Sequence, residues 1–266
     1  MYNPLIQIEL IKENMRIYGD YHTHTKYSDG VTNVIDNLSA AREKGLESIG
    51  ITDHGYASPS FGGLTREKFI KQKKEIESLR DQFGDLNIYH GIEANITGIE
   101  GNIDLREEDF SQLDYIIAGF HAPARPYTLK SFGELYLNSY FSFVIKPSRR
   151  VIERNTRAYI SMIKKYPIAI IAHINHLTKV DALEIAKCCA DYGTMIELNA
   201  KHVELSYSVF EKILMTDVKL IANTDGHKKT KIGRFEEIEK YIKGYPEAEA
   251  KIINSKPGII DFRKPK

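Results

Sequence analysis

Seven short runs rich in Ile, Val, Leu and Tyr, near residues 16–22, 47–53, 87–94, 114–120, 167–173, 194–199 and 218–224, alternate with helix-patterned segments along the chain. This alternation constrains the fold more than any other feature, because strands separated by helices form βαβ units and lie parallel. Helical patterns fall near 32–44, 65–82, 149–165, 179–192, 205–215 and 233–243, the first preceded by Asn33 and closed by Gly45. The expected class is α/β. A single α/β barrel accommodates 266 residues, and no Pro/Ser/Gly-rich linker, composition shift or internal repeat divides them, so one domain over 1–266 is expected.

Composition narrows the function classes. With 42% hydrophobic and 27% charged residues, the chain is neither disordered, collagen-like nor a disulfide scaffold. Lys+Arg 37 against Asp+Glu 36 gives net +1, so no global field draws it to nucleic acid or an anionic membrane. The longest apolar stretch, Ile168 to Ile174, is interrupted by His173 and is far shorter than the roughly 20 residues needed to span a bilayer. The first residues lack the basic start, apolar centre and cleavage site of a secretory signal, and a cytoplasmic location is expected. Cys188 and Cys189 are adjacent on a predicted helix, where a mutual disulfide would be strained; a reduced, partly buried pair is expected. The segment 122–166 carries Phe132, Tyr136, Tyr140, Phe141 and Phe143; an amphipathic helix on the barrel wall is favoured over a lid.

The nine histidines inform through position, since most stand at or just beyond the C-terminal ends of predicted strands, where α/β barrels place active sites. His22 and His24 end the first strand two residues apart, so an extended backbone turns both imidazoles to one face. Asp225 and His227 repeat this spacing after the last strand, which neighbours the first in a closed barrel. Thr52-Asp53-His54, Gly91-Ile92-Glu93, Phe120-His121 and Ala172-His173 end the strands between. A lone histidine at any of these positions would be an ordinary hydrogen-bonded residue. Five or six imidazoles at one barrel mouth with Asp29, Glu93 and Asp225 call for cations to offset carboxylate repulsion and desolvation, and divalent metals supply them.

These residues, His22-Thr23-His24-Thr25 with Ser28-Asp29-Gly30, Thr52-Asp53-His54, Gly91-Ile92-Glu93, Phe120-His121, Ala172-His173 and Thr224-Asp225-Gly226-His227, resemble the motifs of the PHP (polymerase and histidinol phosphatase) superfamily, in order over residues 18–227. The resemblance implies a distorted seven-stranded (β/α)7 TIM-like barrel with two or three divalent ions. It implies a first ion on His22, His24, Glu93 and Asp225, a second on His121 and His173 with Glu93 bridging, and a third on Asp29, His54 and His227. Some relatives carry histidine where this chain has Asp29, an oxygen ligand that would weaken zinc relative to manganese or iron. Zn, Mn and Fe all suit such mixed nitrogen and oxygen donors. His176 competes for the second ion, with His173 preferred; His90 has the parity to face the helices, and His202 is expected on the polar rim. Asp20, Glu197 and Asn199 are candidates to orient ligands or to make ordinary strand-end hydrogen bonds.

Adjacent divalent ions activate a bridging hydroxide near neutral pH and clamp a phosphoryl group, so the expected function is a phosphatase acting on a small phosphomonoester. Glu93, Asp225 and His227 are the expected catalytic set, with His227 or His176 as candidate proton donors to the leaving group. Arg125, Arg149-Arg150 and Lys228-Lys229 are candidate phosphate contacts, against solvated surface charge as the plainer reading. Two alternatives remain: a metal-dependent 3′–5′ exonuclease or other phosphodiesterase on nucleic acid, and a non-catalytic metal-binding module. Near-neutral charge and the full ligand set weigh against them.

Overall fold

The computed structural model describes residues 15–58, 62–122, 124–137 and 146–262. Seven strands lie in one sheet in sequential order, each parallel to the next: β1 (Gly19–Thr23), β2 (Ser48–Ile51), β3 (Asn87–Asn95), β4 (Tyr115–Gly119), β5 (Ile170–Ile171), β6 (Met195–Asn199) and β7 (Leu220–Asn223). The principal helices are α1 (Val34–Glu43), α2 (Arg66–Leu79), α3 (Arg149–Lys165), α4 (Ala182–Tyr192), α5 (Tyr207–Leu214), α6 (Glu236–Ile242) and α7 (Pro246–Lys251). The class is α/β, as the alternation of apolar runs and helical patterns implied, and the sheet forms the distorted seven-stranded barrel that the family resemblance implied.

β5 is much shorter than its predicted run of 167–173. Pro167 cannot donate to a ladder, and His173 leaves the strand at φ 27°, although Ala169 and Ala172 still donate to Ile116 and Ala118 at 2.9 Å each. The helices stop where local chemistry stops them. Asp181 accepts from the Leu183 and Glu184 amides at the start of α4, and Gly193 ends it at φ 66°. α3 lays Ala158, Tyr159, Met162 and Ile163 against the barrel, which makes the core of 122–166 a wall helix. In the same segment Tyr136 packs on Phe120 at 5.0 Å and Phe132 is half exposed; Tyr140, Phe141 and Phe143 lie outside the described residues. α7, led by Pro246 in its first turn, is an element the apolar periodicity did not predict. Cys188 and Cys189 are both buried on α4, more fully than expected.

The barrel closes between β1 and β7 without a continuous ladder. At the C-terminal end Thr23 bridges Gly226, with the His24 amide donating to Gly226 O at 2.9 Å and the Gly226 amide to His22 O at 3.1 Å. At the other end Asn254 is the wedge: its Nδ2 donates to Gly19 O and Ala222 O at 2.7 Å each, and its Oδ1 accepts the Ala222 amide at 3.0 Å. Below it Tyr21, Tyr89 and Tyr115 plug the barrel, with Phe262 stacked on Tyr115 at 4.4 Å. Polar residues are thereby left to gather at the C-terminal mouth. Among the described residues no helix is long and apolar enough to cross a membrane.

Candidate metal centre

His22 is fully buried near the end of β1, and its Nδ1 lies 2.7 Å from Glu197 Oε1 on β6, so Nδ1–H donates and Nε2 is the nitrogen left to face the centre. That Nε2 stands 3.3 Å from Glu93 Oε2 and 3.9 Å from Asp225 Oδ1. His24 Nε2 stands 3.4 Å from the same Glu93 oxygen and 3.3 Å from the same Asp225 oxygen. All four atoms are buried without a hydrogen-bond partner. Two carboxylate oxygens crowded together in a low-dielectric interior are costly without a compensating positive charge. The nitrogen–oxygen separations fit the edges of about 3.4 Å expected between donors about 2.1 Å from a tetrahedral zinc ion, so the set is shaped for a divalent cation.

Glu93 offers its other oxygen to the next group. Oε1 lies 2.8 Å from His173 Nε2 and 3.1 Å from His121 Nε2, and these two nitrogens are 3.1 Å apart. A third group gathers on Asp29, whose Oδ2 is 3.2 Å from His227 Nε2 and 3.5 Å from His54 Nε2. His54 also faces the second group, with Nδ1 2.9 Å from Glu93 Oε2, and His24 belongs to both the first and third groups. The three clusters therefore share members rather than dividing neatly. His227 Nδ1 is oriented by the Asp225 carbonyl at 2.9 Å.

The electrostatics follow from this crowding. Burial pushes the Glu93 carboxyl up, but the imidazoles of His121, His22 and His54 together hold it well below its usual range. Burial opposes charge on His22 as well, yet Glu93, Glu197 and Asp225 lift it well above an ordinary imidazole. His54 is lifted to about 10 against its own burial by Glu93 and Asp29, while burial and neighbouring imidazoles push His24 down to about 3. Two members sit in a strained backbone: His173 at φ 27° and Asp225 at φ 51°, where non-glycine residues seldom lie.

A scaffold of buried hydrogen bonds aims these side chains. Besides holding His22, Glu197 accepts the His173 amide at 2.9 Å, Asn199 Nδ2 at 2.8 Å and Asn223 Nδ2 at 3.0 Å. Asp53, next to His54, points the other way, accepting the Thr25 amide at 2.8 Å, Thr25 Oγ1 at 2.6 Å and the Ser28 amide at 3.0 Å, which fixes the loop carrying Asp29. Gly30 closes this loop because a Cβ there would stand 2.6 Å from the His24 carbonyl. Asp20 does not touch the His22 ring; it accepts the Thr224 and Gly233 amides at 3.1 Å each and so ties β1 to the loop after β7.

The remaining candidates are more dispersed. His176 lies outside the cage, paired with Glu204 and facing His202 with ring centroids 3.6 Å apart; both rings line the mouth over the centre. His90 faces the helices, stacked on Phe69 at 5.0 Å with Nε2 3.1 Å from Gln72. Arg149 pairs with Glu153 at 2.8 Å on the outside of α3, and Arg125 is exposed beside the Ala57 carbonyl that accepts its amide; neither lines the mouth. Lys228 lines a neighbouring cleft. Sequence reasoning missed Lys201, which lines the mouth with Nζ 3.4 Å from Asp225 Oδ2. It shares the parity of Glu197 and Asn199 but lies beyond the end of β6, where parity no longer fixes direction.

Fold and site together define a β/α barrel with a candidate polynuclear metal centre at the C-terminal ends of its strands. The PHP domain pattern matches residues 20–208, and the chain belongs to the PHP domain family. It is 30% identical over 262 residues, 92% of this chain and 94% of the relative, to a "probable phosphatase" of Thermoanaerobacter sp. (strain X514). It is 27% identical over 225 residues, 83% of this chain but 36% of the relative, to the DNA polymerase/3′-5′ exonuclease PolX of Bacillus subtilis (strain 168). Among solved structures, it resembles the histidinol phosphate phosphatase of Lactococcus lactis subsp. lactis, determined with zinc, L-histidinol and phosphate, at TM-score 0.55 and 15% identity, covering 85% of this chain and 93% of that one.

Proposed function

We propose that this protein is a metal-dependent phosphatase that hydrolyses a small phosphomonoester to an alcohol and inorganic phosphate. The observation that carries the reading is the convergence of His22 Nε2, His24 Nε2, Glu93 Oε2 and Asp225 Oδ1, buried and unpartnered, at separations of 3.3–3.9 Å. Similarity along nearly the full length to a probable phosphatase supports it.

The donors fit two to three divalent ions, with His22, His24, Glu93 and Asp225 around the first, His121 and His173 joining Glu93 at the second, and Asp29, His54 and His227 at the third. Zinc, manganese and iron all suit this set. Such ions, when bound, make water acidic enough to ionise near neutral pH and place positive charge beside phosphoryl oxygens. The protein's own part is to hold the donors fixed. Glu93 spans two donor groups, Glu197 sets the His22 tautomer, and Lys201 stands at the mouth to meet a phosphoryl oxygen. As the new P–O bond forms from water and the ester P–O bond breaks, the leaving alkoxide takes a proton, for which His176, lining the mouth outside the cage, is the better candidate donor; His227 has one ring nitrogen toward Asp29 and the other on the Asp225 carbonyl. Arg125 and Arg149 lie away from the mouth and are weaker candidates for substrate contact than Lys201 and Lys228.

The exonuclease reading draws on the PolX similarity, but this chain spans only 36% of that relative, whereas its similarity to the probable phosphatase runs along 94% of the relative. The deciding experiment is turnover of p-nitrophenyl phosphate against bis(p-nitrophenyl) phosphate and single-stranded DNA, on metal-loaded and chelator-treated protein. Monoester turnover abolished by chelator is expected; preferential cleavage of the diester or DNA would replace this reading.

A further inference from the structure

Beside the small mouth lies a larger cleft of about 630 Å³, formed between the loop after β6 and the loop from β7 into α6. Lys201, Asp225 and His227 line both, so the two spaces adjoin. The cleft is lined by Lys201, Lys228, Lys231, Arg234 and Lys240 against Asp225, Glu236 and Glu237, a positive balance in a chain whose net charge is only +1. Arg234 is neutralised by Glu236 at 3.2 Å and Lys240 by Glu237 at 2.7 Å. Asp225 belongs to the metal centre. Lys228 and Lys231 are left with no ion pair among the described residues, both exposed to the cleft.

These lysines are not carried on a loose strand. The Lys231 amide donates to the Lys228 carbonyl at 2.8 Å, Ile232 beyond it is fully buried in the core, and the Gly233 amide donates to Asp20 at 3.1 Å. The turn that presents them is thus pinned to the same carboxylate that ties β1 to β7. A ligand whose reacting phosphoryl group sits in the mouth has its remainder in this cleft, and two unpaired ammonium groups there recognise negative charge.

We infer that the substrate carries a second anionic group, a phosphate or a carboxylate, seated between Lys228 and Lys231. The inference rests on the phosphatase reading for the placement of the first phosphoryl group. It narrows the substrate class from any small phosphomonoester to one with two anionic ends, and makes Lys228 and Lys231 determinants of specificity.

The test separates binding from turnover. Metal-loaded protein is titrated calorimetrically with butylphosphonate, butane-1,4-bisphosphonate and 5-phosphonopentanoate, which react with nothing and differ only in the far end. The bisphosphonate or the carboxylate analogue should bind at least about tenfold tighter than butylphosphonate. In Lys228→Ala/Lys231→Ala that preference should fall toward one. Preference for the bisphosphonate alone assigns a phosphate to the cleft, and preference for both assigns any anion. Equal binding of all three, or a preference unchanged in the double variant, overturns the inference. Turnover of p-nitrophenyl phosphate is read in parallel: its absence on metal-loaded protein would defeat the phosphatase reading, while the phosphonate preference would still report on the cleft.

Discussion

His22 Nδ1 and Glu197 Oε1 meet at 2.7 Å across the barrel interior, joining β1 to β6, two strands that are not neighbours in the sheet. The contact fixes which imidazole nitrogen is left to bind, and the other Glu197 oxygen accepts the amide of His173, whose backbone is held at φ 27°. One carboxylate therefore orients donors of two different clusters, as the outer partners of metal-binding histidines generally do.

Glu197→Gln should lower metal affinity by about 10–100-fold while leaving the fold intact, because the amide keeps the volume but no longer favours the protonated Nδ1 of His22. Competition with a chromophoric chelator measures it. Wild-type affinity would show that the 2.7 Å contact orients nothing that matters to the metal.

His173 and His176 are three residues apart and lie in different surroundings: His173 is 2.8 Å from Glu93, whereas His176 is paired with Glu204 at the rim. His173→Ala should lose a metal equivalent and activity, and His176→Ala should keep most of its metal. Elemental analysis of both variants checks this, and reversed metal contents would exchange their roles.

Metal uptake should expel protons. In the metal-free protein the carboxylates around His22 hold it well above its usual range, and those around His54 lift it to about 10, so both are protonated at neutral pH. A bound ion needs their lone pairs, and roughly two protons per chain should leave on zinc addition near pH 7. The sign is fixed: affinity rises as pH rises and falls on acidification. Calorimetry in buffers of different ionisation enthalpy counts the protons, and zero release would contradict these protonation states.

The wedge between β1 and β7 predicts a stability effect without a chemical one. Asn254→Ala removes three buried hydrogen bonds to Gly19 and Ala222, which should cost about 2–4 kcal/mol in urea unfolding while metal content is unchanged. A loss below about 0.5 kcal/mol would mean that the barrel closes without it.

Much of the cage was legible because strand ends are easy to locate and barrel chemistry gathers there. Strand parity and order paired His22 with His24 and Asp225 with His227 and put Glu93 at a strand end between them, while the grouping of His22, His24, Glu93 and Asp225 came from the family resemblance; β3 was expected at 87–94 against the observed Asn87–Asn95. What escaped is what depends on loop paths. Lys201 is a surface-type residue in sequence, and only the fold of the loop after β6 turns it toward Asp225. Asn254 gave no sign of closing the barrel, since it meets Gly19 at a separation of 235 residues. The division into three ligand groups came from the resemblance, and the geometry blurs it: His54 stands 2.9 Å from Glu93 and 3.5 Å from Asp29, between two clusters. Arg149, a candidate phosphate contact from sequence, lies on the outer start of α3, paired with Glu153.

The central claim is that Glu93, with one oxygen 3.3–3.4 Å from His22 and His24 and the other 2.8–3.1 Å from His173 and His121, holds two ions together. Glu93→Gln keeps the size and removes the charge, so two cations would repel across a neutral amide. Metal content and p-nitrophenyl phosphate turnover, measured on one preparation shown by circular dichroism to be folded, decide the matter. The expected result is loss of at least one metal equivalent and a fall in rate of at least about a hundredfold. A folded Glu93→Gln protein with full metal and near-wild-type turnover would contradict the bridge and the placement of the site around it.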